Sequence, residues 1–149
     1  MTDNLTPEQR SYHMSCVRSK NTAPELKIRR LAHERGLRYR IHADRLPGKP
    51  DMAFIRAKVA VFIDGDFWHG WRFPRWREKI GDYWREKIDR NRRRDAEHCR
   101  KLRSQGWLVI RIWEHEIERD AGGCVDRVEA AVRKRALTNE GRKAGQVRY

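Results

Sequence analysis

Residues 57–64, with the sequence AKVAVFID, constrain the fold of this 149-residue chain more than any other segment. The run is almost wholly apolar, which is typical of a central strand covered on both faces. The turn PGKP and the short run DMAFI, at residues 47–55, precede it and predict a neighbouring strand joined through a tight connection around Arg56. We therefore predict an α/β fold with a mixed central sheet flanked by helices.

The other elements are predicted from capping residues and from the spacing of apolar residues. They are a basic helix or arm over residues 1–21, a helix from Thr22 to Gly36, a first strand over 37–46, a long helix from Asp82 to Gln105, a strand over 107–113 and a last helix from roughly Val125 to Leu137. The predicted order is α-β-β-β-α-β-α. We expect one domain over residues 22–137, and a basic, flexible tail over 138–149.

The charge balance predicts a polyanionic partner. The chain has 35 Lys and Arg against 21 Asp and Glu, a net charge of +14, and nucleic acid is the leading candidate for its partner. A membrane surface is the alternative, but no apolar stretch is long enough to span a bilayer and no signal-peptide pattern opens the chain. We therefore expect a soluble intracellular protein. The three cysteines are widely separated and indicate neither a disulfide framework nor a cysteine-rich zinc site.

Acidic residues are predicted to meet at one edge of the sheet. If the second and third strands form a hairpin, Asp51 at the start of one comes close to Asp64 or Asp66 at the end of the other. Clustered carboxylates form an oxygen-rich site of the kind that Mg²⁺ prefers. The alternative for Asp51 alone is that it caps the turn after PGKP.

The long helix has an apolar stripe that two polar residues interrupt. The stripe consists of Trp84, Ile88, Asn91, Asp95, Cys99 and Leu102. A buried polar group without a partner costs about 1–3 kcal/mol, so Asn91 and Asp95 are expected to point into a polar site. The alternative is a rotated stripe that leaves both solvated. Arg90 and Arg93 flank them and suit phosphate contacts.

The segment FIDGDFWHG, at residues 62–70, combines acids, aromatic residues and a histidine. His69 is a candidate general base, because its ordinary pKa lies near neutrality. Aromatic residues that crowd this loop, such as Phe67 and Trp68, are candidates for wedges that enter a base stack. Metal site, base and wedges together favour a DNA nuclease.

Four segments resemble, in order and spacing, the very short patch repair (Vsr) mismatch endonucleases. They are LPGKPD (46–51), VFIDGDFWHG (61–70), YWREKIDRNRRRD (83–95) and GWLVIRIWE (106–114). The segment RSYHMSCVRSKNTAPE (10–25) is similar to the N-terminal arm and first helix of that family. The resemblance covers roughly residues 10–118, and four motifs in register make it specific.

The resemblance implies a restriction-endonuclease-like fold of the PD-(D/E)XK type. The implied reaction nicks one strand of double-stranded DNA at a T:G mismatch left by deamination of 5-methylcytosine, with one or two Mg²⁺ ions, and leaves 5′-phosphate and 3′-hydroxyl ends. It also implies functional association with a cytosine-5 DNA methyltransferase, a monomeric state and location in the bacterial cytoplasm with the nucleoid.

The resemblance also assigns roles to individual residues. The implied metal contacts are Asp51 and the main-chain carbonyl of Ile63. His69 is the implied catalytic histidine, and Glu25 and Asp95 are the accompanying acids. The implied wedge residues are Phe67, Trp68, Trp84 and, in the arm, Met14, and we expect Asn91, Arg90 and Arg93 at the DNA.

Two departures from the family pattern change the expected site. Asp64 stands where the family usually has a second histidine, and no lysine occupies the third place of a (D/E)XK triplet. Asp64 is expected either to bind the metal directly or to replace the lost base. The four positions of the family's structural zinc hold Asp66, Trp71, Phe73 and His115. Only two of these bind metal, so we expect no structural zinc and predict an Asp66–His115 pair instead.

Two other functions remain open on the sequence alone. The first is a nuclease of the same fold with a different sequence- or structure-specific DNA target. The second is a DNA-binding module with an inactive site, which is favoured if Asp64 does not replace the missing histidine. Retention of Asp51, His69, Glu25 and Asp95 argues against the second.

Overall fold

The computed structural model describes residues 6, 22–67 and 69–146, with side chains as far as residue 138. The elements are α1 (Ala23–Glu34), β1 (Met52–Phe54), β2 (Val59–Asp64), α2 (Phe73–Trp76), a 3-10 helix (Arg77–Lys79), α3 (Asp82–Ser104), β3 (Leu108–Trp113) and α4 (Glu114–Gln146). Apart from residue 6, the predicted arm over 1–21 lies outside the described residues, and so does Trp68.

The sheet has three strands in the order β1-β2-β3, with β2 at its centre. Strand β1 pairs antiparallel with β2, with Met52 opposite Val61. Strand β3 pairs parallel with β2, with Phe62 beside Arg111. The parallel pair requires a crossover, which α2 and α3 supply. The predicted hairpin and the predicted mixed sheet flanked by helices are confirmed.

The two faces of β2 pack against different helices, because successive side chains of a strand point to opposite faces. Val59 and Val61 belong to the larger core, with residues of α1 and α4. Ala60 and Phe62 belong to a smaller core, with Leu102 of α3. By the same alternation Asp64 lies on the α3 face, although it ends an apolar strand.

The strand predicted over residues 37–46 is not formed. Residues 37–46 form only a single bridge, between Arg40 and Ala53. The extended run ends there because His42 adopts a left-handed conformation, with a φ of 55°. The short α2 was not predicted.

The final helix is longer than predicted. It starts at Glu114, is interrupted at Asp120, whose φ is −158°, and continues to Gln146. Residues 138–146 of the predicted tail therefore belong to this helix, and the segment contains no proline that would end it. Among the described residues, no helix is both long and apolar enough to cross a bilayer.

Candidate active site

A cavity of about 460 Å³ lies beside the end of β2 and collects the predicted catalytic residues from five different parts of the chain. It is lined by Glu25 of α1, Asp51 before β1, Asp64 at the end of β2, His69 in the following loop and Asp95 of α3. Five residues that span 71 positions in the sequence therefore share one site.

Asp51 is held at the edge of the sheet by the backbone of β2. The Ile63 N–H donates a hydrogen bond of 2.6 Å to Asp51 Oδ2. Burial raises the pKa of Asp51 to about 7, against the effect of this hydrogen bond, and the negative charges of Glu25 and Asp64 add to the rise. A carboxylate whose ionised form is disfavoured in this way is stabilised by a bound cation.

Asp64 is almost fully buried and forms a bidentate ion pair with Arg111 of β3. Arg111 Nε lies 2.6 Å from Asp64 Oδ2, and Arg111 Nη2 lies 2.9 Å from Asp64 Oδ1. The same guanidinium lies 3.4 Å from Asp95 Oδ2 and donates to Cys99 Sγ at 3.2 Å. Both oxygens of Asp64 are thus engaged by one cation, which is the strong geometry for a carboxylate and an arginine.

His69 and Asp95 form a hydrogen-bonded pair. His69 Nδ1 lies 2.6 Å from Asp95 Oδ2 and 3.7 Å from Asp64 Oδ1. Burial lowers the pKa of His69, but the hydrogen bond and the charges of the two acids outweigh this and raise it overall. Burial raises the pKa of Asp95, but His69 and Arg111 outweigh this and lower it overall. With Nδ1 held by a carboxylate, Nε2 is the nitrogen that remains for proton transfer.

Two glycines allow the loops of the site to approach α3 closely. Gly70 has a φ of 72°, and a Cβ there would lie 2.8 Å from Arg92 Cδ. Gly48, in the PGKP turn, has a φ of 76°, and a Cβ there would lie 3.0 Å from His98 Cβ. Larger residues would strain the backbone and push both loops outward. The approach at Gly70 is what brings His69 within reach of Asp95.

Glu25 enters the site from the first turn of α1. Thr22 caps this helix, and its Oγ1 accepts a hydrogen bond of 3.5 Å from the Glu25 N–H. The carboxylate is buried, and its Oε2 lies 3.1 Å from Arg29 Nη2. Capping and the ion pair together fix this acid beside the other carboxylates of the cavity.

Phe67, in the loop after β2, forms a separate aromatic cluster with residues of α2 and α3. The ring of Phe67 stacks on Trp76 with centroids 5.5 Å apart and meets Trp84 edge-on at 5.8 Å. Phe67 is nonetheless 39% exposed. The predicted wedge residues Phe67 and Trp84 are therefore brought together, while Trp68 and Met14 lie outside the described residues.

The predicted polar residues of α3 divide into two groups. Asp95 lines the cavity. Asn91 is half-buried, and its Oδ1 accepts a hydrogen bond of 3.1 Å from Arg94 Nη2. Arg90 and Arg93 are both exposed, and neither lines the cavity. The stripe is thus oriented so that Asp95, four residues further along α3, reaches the cavity that Asn91 does not line.

The predicted pair between Asp66 and His115 is confirmed. His115 Nδ1 lies 2.7 Å from Asp66 Oδ1, and the ring of Trp71 packs on the His115 ring with centroids 4.1 Å apart. Phe73, two residues after Trp71 and at the start of α2, is fully buried. A hydrogen bond and aromatic packing therefore join this loop to the start of α4.

Arg111 is a site residue that was not predicted from the sequence. The signal for it is the alternation of LVIRIW, which places Ile110 and Ile112 on one face of β3 and Arg111 on the other. An arginine in an apolar strand costs free energy unless it is paired. The inward acid Asp64 on the neighbouring strand supplies that pair.

The residues of the cavity suit a hydrated magnesium ion better than a metal held entirely by the protein. Within the described ranges, no three His, Cys, Asp or Glu side chains are arranged to hold a metal. Mg²⁺ keeps several waters and is usually bound through one or two carboxylates plus substrate phosphate oxygens. Asp51, with its raised pKa and anionic surroundings, is the carboxylate that fits this role.

Comparisons with known proteins identify the family of this chain. The family model described as "DNA mismatch endonuclease Vsr" matches residues 2–75. A "Type II nicking enzyme V.NmeDIP" of Neisseria meningitidis serogroup C is 42% identical, over 88% of this chain and 90% of the relative. The "Type II nicking enzyme V.XorIIP" of Xanthomonas oryzae is 44% identical, over 78% of this chain and 88% of the relative. The "DNA mismatch endonuclease Vsr" of Escherichia coli is 31% identical, over 76% of this chain and 74% of the relative. This chain belongs to the Vsr family of DNA endonucleases.

Proposed function

We propose that this endonuclease uses Mg²⁺ to nick one strand of a DNA duplex at a T:G mismatch that arises by deamination of 5-methylcytosine. The observation that carries the proposal is the position of Asp51 in one cavity with the hydrogen-bonded pair of His69 and Asp95. This combination provides a metal-binding carboxylate and an oriented base, the two groups that metal-assisted hydrolysis of a phosphodiester requires. The mixed sheet with flanking helices suits a restriction-endonuclease-like core.

Asp51 and the main-chain carbonyl of Ile63 would hold the metal. When bound there, Mg²⁺ would polarise the scissile phosphate and stabilise the departing 3′ oxygen. Glu25 and Asp64 add negative charge around Asp51, which favours a cation. We propose that Asp64 acts as the partner of Arg111 rather than as a metal ligand, because both of its oxygens already accept from that guanidinium.

His69 would act as the general base. Its Nε2 would take a proton from the attacking water, while Asp95 holds Nδ1 and stabilises the protonated ring. The water oxygen bonds to phosphorus, the bond from phosphorus to the 3′ oxygen breaks, and the leaving oxygen is protonated from solvent. The products carry 5′-phosphate and 3′-hydroxyl ends.

The aromatic cluster beside the catalytic loop supports recognition of a mismatch. Phe67 is exposed, and its ring packs against the rings of Trp76 and Trp84. Unstacking is least costly at a mismatched step, so an aromatic wedge favours such a site over a matched duplex. The E. coli relative, which is named a DNA mismatch endonuclease, supports the same target. A companion cytosine-5 methyltransferase would follow from this substrate, since it produces the base whose deamination gives the mismatch.

The test is strand-resolved cleavage of a labelled duplex with one T:G pair beside its matched C:G control. Reactions contain Mg²⁺ or EDTA, and use the wild type, Asp51→Ala and the control variant Asp82→Ala, whose carboxylate is 91% exposed at the start of α3. We expect a nick only in the mismatched duplex, only with Mg²⁺, and with Asp82→Ala but not with Asp51→Ala. Failure to nick, with DNA binding retained, would refute the proposed chemistry.

A second candidate is a nicking endonuclease of the same fold with another sequence- or structure-specific target. The Asp66–His115 pair favours it, because Asp66 and Trp71 lie in the loop that carries the wedge residue Phe67, and their contacts with His115 fix that loop to the start of α4. Equal Mg²⁺-dependent cutting of the T:G and C:G duplexes would select this candidate.

A further inference from the structure

A second cavity, of about 480 Å³, adjoins the catalytic cavity across a shared wall. The wall consists of His69, Asp95 and Arg111, which line both cavities. Four more arginines line only the second one, which we call the arginine pocket: Arg72, Arg92, Arg100 and Arg103. The proposed chemistry gives no role to these four residues.

The arginine pocket has a large excess of positive charge. Within the described part of the chain, Asp95 is the one acid in its lining, and its carboxylate is already held by His69 at 2.6 Å and by Arg111 at 3.4 Å. No carboxylate of the described residues forms an ion pair with the four arginines named above. Uncompensated like charges that converge on one cavity repel, and a bound anion would relieve the repulsion.

The arginines approach the pocket from two separate elements. Arg92, Arg100 and Arg103 follow one side of α3 at helical spacing, with the small residue Ala96 between them leaving open space. Arg72 comes from the loop that carries His69, and its guanidinium lies 4.3 Å from the centre of the Trp71 ring. The arginines therefore line the pocket from two separate elements of the fold.

We propose that the arginine pocket binds a backbone phosphate of the cleaved DNA strand, beside the scissile phosphate. Guanidinium groups bind phosphate oxygens through paired hydrogen bonds, so a set of arginines without carboxylate partners suits this ligand. A strand whose scissile phosphate lies in the catalytic cavity carries its adjacent phosphates past the shared wall of His69, Asp95 and Arg111. This assignment rests on the proposed function, because it requires a DNA strand in the catalytic cavity.

The test compares two pairs of substitutions that remove the same charge. The pocket pair is Arg100→Gln with Arg103→Gln, both exposed on α3, so the fold does not depend on them. The control pair is Arg133→Gln with Lys134→Gln on α4, where Arg133 is 63% exposed. The control pair lies at the opposite end of the sheet, because the adjacent Arg135 donates to the carbonyls of residues 57 and 106, which precede β2 and β3. Thermal unfolding checks that all variants are folded.

Binding of the T:G duplex is measured in EDTA as a function of salt concentration. The slope of log K against log salt becomes shallower by about 0.9 for each phosphate that the protein no longer neutralises. Because the pocket is assigned one phosphate, we expect the slope to change by about one unit and the affinity to weaken by about tenfold for the pocket pair, with little change for the control pair. Equal slopes and affinities for the two pairs would overturn the assignment.

Methylphosphonate substitution then identifies the phosphate. This group replaces one charged phosphate at a time, near the scissile position, with a neutral one. We expect one position where the substitution weakens binding by the wild type but not by the pocket pair. If every position weakens both proteins equally, the phosphate does not bind in the pocket. The nicking assay with wild-type protein tests the proposed function separately, so nicking without these differences would refute only the pocket.

Discussion

Asp51 is expected to destabilise the metal-free protein at neutral and alkaline pH. Burial and neighbouring acids raise its pKa from 3.8 to about 7 in the folded state. An acid whose folded-state pKa exceeds its unfolded value favours the folded state less as the pH rises. The penalty is therefore absent below the unfolded pKa, grows as the pH rises towards the folded pKa, and is constant above it.

The size of the effect follows from the shift. A rise of roughly three pKa units corresponds to a ceiling of about 4 kcal/mol. Asp51 is only partly buried, and solvent relaxation reduces the effect, so we expect Asp51→Asn to gain about 1–3 kcal/mol at pH 8. Asparagine keeps an oxygen for the Ile63 N–H, which donates to Asp51 at 2.6 Å. For a chain of this length, each kcal/mol raises Tm by about 2–4 °C.

The assay is thermal unfolding, followed by circular dichroism in EDTA at pH 5 and pH 8. Asp51→Asn should raise Tm clearly at pH 8 and less at pH 5, while the exposed control Asp82→Asn should not raise it. Addition of Mg²⁺ should then stabilise the wild type but not Asp51→Asn. A Tm for Asp51→Asn at or below that of the wild type at pH 8 would show that ionised Asp51 does not destabilise the fold.

Three further predictions concern the neighbours of Asp51. Arg111→Met leaves the buried Asp64 carboxylate unpaired and should lower the free energy of unfolding, measured in urea, by about 3–5 kcal/mol. Adding Asp64→Asn to this variant should recover part of the loss. No recovery would contradict the ion pair. Asp95→Asn removes one of the two carboxylates that raise the pKa of His69. At saturating Mg²⁺, kcat should therefore fall by about 10²–10⁴ and the acid limb of the pH–rate profile should move to lower pH. An unmoved limb would exclude His69 as the base. Asp66→Ala removes the hydrogen bond to His115 and should lower the free energy of unfolding by about 1 kcal/mol. Elemental analysis of the wild type should find less than one zinc per chain. One zinc per chain would contradict the replacement of a zinc site by this pair.

Much of the catalytic cavity could be predicted from the sequence. The hairpin places Asp51 beside the end of β2, and the helical spacing of α3 directs Asp95 towards the sheet. The Asp66–His115 pair was predicted because two metal-capable residues remain where the family binds zinc. The prediction of a strand over residues 37–46 was wrong, because the spacing of apolar residues does not reveal the backbone conformation of a single residue such as His42.

The faces on which the site residues lie follow from the sequence alone. Alternation along β2 places Asp64 on the same face as Phe62, and a hairpin of the two strands brings Asp51 to the end of β2, because both are consequences of local chain geometry. The charge pairing, by contrast, depends on the tertiary structure. Whether Asp64 would bind a metal ion or pair with a guanidinium depended on Arg111, 47 residues away. Arg111 reaches Asp64 because β3 packs in parallel beside β2. Local geometry sets where a side chain points, but the groups that it meets, and hence its charge state, depend on how closely distant elements pack.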